Sequence, residues 1–205
     1  MKSFFSTDSG LYRFISKLSQ VFFLNVLWLL FSLPIVTIGA STAAACYVAL
    51  RMTDNEEGYI FRDFKKGFKD NWKQGTVLFL VSAVAAYALY LDFQFFHATD
   101  SIVFLIIGII SVFICADALI FSFPLIARYK NTVPHTLQNS FEISTRNPGW
   151  TILIILLAAF EIVLFNWNTT MVFFGICFGP MIVIYTVCGI SKRIFQKIEI
   201  DQGLK

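Results

Sequence analysis

The sequence predicts an all-α fold, a polytopic transmembrane helical bundle of about six membrane segments with cytoplasmic amphipathic helices. Composition, the length of the apolar stretches and the placement of the basic residues carry that expectation. Of 205 residues, 57% are hydrophobic and 14% charged, and mean hydropathy is +0.71. A soluble domain carries about a quarter charged residues and a little under half apolar ones. One soluble core of this size cannot hide such an excess, whereas a bilayer accepts it as outward-facing surface. The 24 phenylalanines suit lipid-facing helices, and the length suits one transmembrane domain over 1–205. A net charge of +3 is too small to point to nucleic acid.

A crossing takes roughly 20 apolar residues. The first uncharged stretch, 19–50, is too long for one crossing and short for two. Pro34 cannot donate a helical hydrogen bond and clashes with the preceding turn. Thr37, Gly39, Ser41 and Thr42 follow closely, so Pro34 and Gly39 mark a helix break. Segments are expected at about 18–36 and 40–52 on either side of it, and periodicity leaves open whether 40–52 crosses fully or re-enters. Four further segments follow at about 75–96, 101–127, 150–166 and 170–191. Ala43-Ala44-Ala45-Cys46 resembles a cleavage site, but the apolar run before it starts too late and is interrupted by Pro34, so no cleavage is expected.

The 16 lysines and arginines fall in four regions: before the first stretch, from Arg51 to Lys73, from Arg128 to Arg146, and from Lys192 onward. The connections 97–101 and 166–170 have none. By the positive-inside rule the four basic regions are cytoplasmic and both termini lie inside. This requires 19–50 to enter and leave on one side, as a broken hairpin. Five segments with an external N-terminus is the alternative.

The connection 54–74 reads as an amphipathic helix. Phe61, Phe64, Phe68 and Trp72 recur at helical spacing, with Lys65 and Lys69 among the residues of the other faces. Such a helix either lies in the inner headgroup layer, where its lysines favour anionic lipid, or packs its aromatic stripe on the bundle. Ser32-Leu33-Pro34-Ile35 returns as Ser122-Phe123-Pro124-Leu125, and Asn147-Pro148-Gly149-Trp150 opens a span much as Asn71-Trp72 precedes Gly75. An internal repeat and general membrane-protein grammar both account for this.

Asp117, Glu161 and Asn25, each inside an apolar stretch, are the candidate intramembrane polar site. A carboxyl in the membrane costs a few kcal/mol and turns to the bundle interior. Asp117, flanked by 15 residues back to Ile102 and 11 on to Arg128, is the candidate floor of an outward-opening polar cavity that Glu161 and Asn25 would line, with Asp92 and His97 at its mouth. The alternative for Asp117 is a hydrogen bond between helices. Enzyme motifs such as H-E-x-x-H, G-x-S-x-G and the phosphate-binding loop are missing, so no enzyme, cofactor or metal is expected. Cys46, Cys115, Cys177 and Cys188 lie in apolar stretches as small hydrophobes.

The run Leu33-Pro34-Ile35-Val36-Thr37-Ile38-Gly39-Ala40-Ser41-Thr42-Ala43-Ala44, then Glu57-Gly58-Tyr59-Ile60-Phe61-Arg62-Asp63-Phe64 and Phe68-Lys69-Asp70-Asn71, resembles the YesL-like family. These are small bacterial integral membrane proteins of uncharacterised function. The resemblance implies a cytoplasmic-membrane location and a role near carbohydrate uptake, since such proteins are often encoded beside sugar-uptake genes. The expected partners are therefore the lipid bilayer and a carbohydrate transporter or other membrane protein; a second copy of the chain is also open. A self-sufficient small-solute or ion carrier and a non-transporting scaffold are the rival expectations. The family supplies no functional residues to carry over.

Overall fold

A computed structural model describes residues 10–53, 59–99 and 102–201. Among them are eight α-helices and no strand: α1 Gly10–Phe31, α2 Ile38–Thr53, α3 Ile60–Thr99, α4 Ile102–Ile120, α5 Ser122–Arg128, α6 Val133–Arg146, α7 Pro148–Phe165 and α8 Thr169–Asp201. Five stretches are long and apolar enough to cross a membrane: 35–53, 60–98, 102–128, 148–165 and 169–200. A shorter apolar helix, 15–31, precedes them. The all-α membrane bundle is therefore the fold observed.

Proline sets the breaks. α1 stops at Phe31, three residues before Pro34. The Thr37 hydroxyl donates to the carbonyls of Phe31 (2.6 Å) and Pro34 (2.7 Å), and a single 3-10 turn, Ile35–Thr37, leads into α2. The break is thus confined to 32–37. Gly39 is not part of it, contrary to expectation; it lies inside the first turn of α2 and is buried. Its lack of a side chain serves packing instead. A Cβ on Gly39 would fall 2.0 Å from the Gly75 carbonyl oxygen of α3, and one on Gly75 would meet Gly39 and Ala40 backbone at 2.7–2.8 Å. Two backbones approach this closely only through small residues.

From that contact α2 runs antiparallel to α3. Gly67 abuts Ala44 and Tyr47, and Arg51 pairs with Asp63 at 2.9 Å. The most apolar window of α2 is 56% buried, against 0–17% for the other four spans. α2 is the central helix, enclosed by α1, α3, α5 and α8, and its alanines Ala43, Ala44, Ala45 and Ala49 are fully buried. Trp28 Nε1 donates to Thr42 Oγ1 at 3.1 Å and so ties α1 to α2.

The expected separate helix over 54–74 is not found. Residues 54–58 lie outside the described residues, and 60–74 is the first part of a 40-residue helix that continues without a break through the span predicted at 75–96. Its two halves have different neighbours. The first lies along α2, and the second, almost wholly exposed and apolar, lies along α4, with Phe95 stacked on Phe104 at 5.8 Å. The later loop does divide: α6 and α7 are parted at Asn147, φ −128° and ψ 57°, because Pro148 follows and disfavours helical backbone in the residue before it. No proline follows Asn71, so α3 stays whole. The span predicted at 101–127 likewise divides at Phe121, where α4 ends at Ile120, the residue whose carbonyl the Pro124 ring displaces.

Candidate functional site

Asp117 holds helices together. Its Oδ1 accepts a hydrogen bond from Ser144 Oγ at 2.6 Å, Ser144 Oγ lies 2.9 Å from Thr151 Oγ1, and Ser140 Oγ donates to the Asp117 carbonyl at 3.1 Å. Ser140, Ser144 and Thr136 are buried, one turn apart along α6. This polar seam docks α6 on α4 and on the first turn of α7. The i, i+4, i+8 spacing of Thr136, Ser140 and Ser144 was the signal available in the sequence.

Asn25 has a different task. It is fully buried in α1, and its Nδ2 donates to the Ile176 carbonyl of α8 at 3.0 Å. Ile176 is four residues before Pro180, which has no N–H to offer that carbonyl. Asn25 therefore replaces the helical hydrogen bond that Pro180 removes. Its Oδ1 is buried without a partner among the described residues.

Glu161 sits on α7 beside the same part of α8. It lines a crevice of about 340 Å³ with Phe165, Ile176, Gly179 and Pro180, and its Oε2 is buried without a hydrogen-bond partner among the described residues. Gly175 lets α7 come close, since a Cβ there would meet Phe165 at 2.7 Å. Glu161 and Asn25 thus gather at one stretch of α8. Asp117 does not join them: Thr151, which reaches Asp117 only through Ser144, is ten residues from Glu161, about 15 Å of helix. Asp92 lies elsewhere again, on an apolar slot between α3 and α4 beside Phe93 and Phe104. The His97 ring stands edge-on to Phe93 at 4.5 Å. Among the described residues these side chains do not gather into the single outward-opening cavity expected.

The aromatic stripe of α3 also divides. Phe64 is fully buried and Phe68 half-buried, both 5.2 Å from Phe31. Phe61 and Trp72 are about half exposed, and Lys65 and Lys69 are exposed beside them.

At the charged end, α5, α6 and α8 frame a groove of about 250 Å³ that the sequence did not reveal. Leu125, Ile143, Phe195 and Ile198 form its apolar floor, and Asn139, Glu142, Arg146 and Glu199 its rim. One wall is fixed by a bidentate pair, Arg128 Nη2 to both Glu199 oxygens at 2.8 and 3.0 Å, with the Tyr129 hydroxyl donating to Oε1 at 2.5 Å. Burial, and then the hydrogen bond to Glu199, push the Tyr129 phenol up to about 12. Among the described residues no three His, Cys, Asp or Glu side chains are grouped so as to hold a metal ion.

Residues 21–93 match a family described as a protein of unknown function, DUF624. An uncharacterized protein of Bacillus subtilis (strain 168), YesL, is 28% identical over 198 residues, which covers 95% of this chain and 93% of that protein. No solved structure matches. The family match spans the second half of α1, the break, α2 and most of α3, and so includes the Gly39–Gly75 contact. The chain is thus a multi-helix membrane protein similar to YesL over most of its length and to the DUF624 family over residues 21–93.

Proposed function

We propose that this protein is a non-enzymatic accessory component of the bacterial cytoplasmic membrane that works by holding a partner membrane protein. The observation that supports this is the state of Asp117, whose Oδ1 accepts from Ser144 and whose backbone carbonyl accepts from Ser140. A solute path needs polar groups free to exchange their partners. Here the one carboxylate in α4 serves to fasten α6, and α6 forms a wall of the groove at the charged end. An apolar floor with a charged rim suits a protein segment better than a small polar solute. The setting of carbohydrate uptake comes from the family resemblance alone, and a sugar transporter is the partner it suggests.

The expected orientation has both termini, α6 and the first half of α3 on the cytoplasmic side. α2 reaches Gly75 but does not accompany the exposed apolar half of α3, which supports α1 and α2 forming a hairpin that enters and leaves on one side. That satisfies the charge distribution without a sixth full crossing.

The experiment is affinity capture from native membranes with Asn139→Trp, which fills the groove, beside wild type. Wild type should retain a transporter subunit, and the variant should lose it while keeping its own thermal stability. Capture of the chain alone by wild type would sink the scaffold reading. A carrier reading is favoured by Glu161, whose Oε2 has no partner in its crevice. Proteoliposomes should then move cations or small solutes, and E161Q should stop them; a flux that the substitution does not change removes the carrier.

A further inference from the structure

We propose that the outward face of the first half of α3, together with the α5–α6 connection, is a binding surface for the headgroups of anionic phospholipids. The aromatic stripe of this helix does two jobs. Phe64 and Phe68 turn inward onto Phe31, which fixes the helix rotation about its axis. That rotation leaves Phe61 (51% exposed) and Trp72 (48% exposed) outside. Successive helical residues turn by about 100°, so Lys65 and Lys69 fall on the same side as Phe61 and Trp72, with Lys73 next to them; all three lysines are exposed.

Among the described residues the charge on this face is not neutralised. Between 59 and 75 the acids are Asp63 and Asp70. Asp63 is buried and held by Arg51, and Asp70 is on the opposite flank of the helix from Phe61. Lys65, Lys69 and Lys73 have no ion-pair partner among the described residues. A second segment adds to the same level. Gln74 Nε2 donates to the Asn131 carbonyl at 2.7 Å, which places exposed Lys130 and Lys73 each one residue from that bond.

The continuity of α3 places this face at the membrane boundary. Its apolar exposed half begins just beyond Gly75, so Trp72 and Lys73 stand within about one helical turn of it, inside the headgroup layer. Tryptophan favours that layer, and lysines beside it meet lipid phosphates. A second exposed tryptophan, Trp150 (38% exposed), opens α7 after Arg146 at the same charged end. The ligand is an anionic phospholipid whose phosphate meets the lysines while its chains lie along α3 beside Trp72.

Native mass spectrometry of the detergent-purified full chain tests this, with dioleoyl phosphatidylglycerol and dioleoyl phosphatidylcholine offered at equal concentration. Phosphatidylglycerol adducts should persist to higher collision energy than phosphatidylcholine adducts. The triple variant K65Q/K69Q/K73Q, all at exposed positions, should weaken phosphatidylglycerol binding about ten-fold, whereas R193Q/K197Q on α8 should leave it unchanged. Equal retention of the two lipids would overturn the proposal, and so would an equal loss in both variants. Removal of the bound lipid by millimolar inorganic phosphate would also overturn it, since it would mark a site for soluble phosphate.

Discussion

At the scale of single residues, the structure assigns tasks that residue type alone left ambiguous. Gly39 shows this best. A glycine five residues after a proline reads as part of the same break, because both weaken a helix. Only the packing partner distinguishes the two, and Gly75 is 36 residues away. Gly39→Ala should therefore cost about 1–3 kcal/mol, the usual cost of overpacking. Gly108→Ala, where a Cβ would meet nothing within 4 Å, should leave the melting temperature in detergent level or slightly raised. Equal melting of the two variants would refute the close-contact role. Tyr129 gives a second test. Its pKa, raised from the usual 10.0 to about 12, means that the neutral phenol is favoured in the fold. The stability this supplies is complete below pH 10 and is lost as pH rises through about 12. Ultraviolet titration should show a tyrosine step near pH 12, and Y129F should remove that late step.

Among the elements, proline chemistry was legible where a proline stood near a charged or polar boundary and was missed where it stood in a featureless apolar run. Pro34 announced a break, and Pro148 explains why α6 and α7 part. Pro180 is surrounded by Phe178, Met181 and Ile182, and nothing adjacent signals the Asn25 amide that reaches it from α1. The two residues form a matched pair, and a double-mutant cycle should reveal it. Asn25→Ala alone should destabilise by about 1–3 kcal/mol by orphaning the Ile176 carbonyl. In a Pro180→Ala background the helix supplies its own N–H, so the same substitution should cost much less. Additive losses in thermal unfolding would show that the amide and the proline act separately. The buried seam on α6 escaped for a related reason: serine and threonine at helical spacing look the same whether they face water or accept a neighbouring helix.

For the whole molecule, the all-α class and the presence of several membrane-length spans followed from composition, because the bilayer imposes length. The gathering of polar residues did not follow, since which spans become neighbours is set by small-residue contacts that hydropathy does not register. The hairpin of α1 and α2 is the point on which the topology turns. In a cysteine-free background, K69C and K130C should react with an impermeant maleimide from one side of sealed vesicles and N168C from the other. L33C, at the tip of the hairpin, should not react from the side that labels N168C; if it does, the hairpin crosses completely. The unbroken α3 has a mechanical consequence. At 1.5 Å per residue it is a rod about 60 Å long, held along α2 from the Gly39–Gly75 contact back to the Arg51–Asp63 pair. The stretch after Gly75 is a lever of about 36 Å, and the stretch from Gly75 back to Asp63 a shorter one of about 18 Å. A change in bilayer thickness that tilts the longer lever would in this way load the Arg51–Asp63 pair and the Phe64–Phe31 contact at the opposite end.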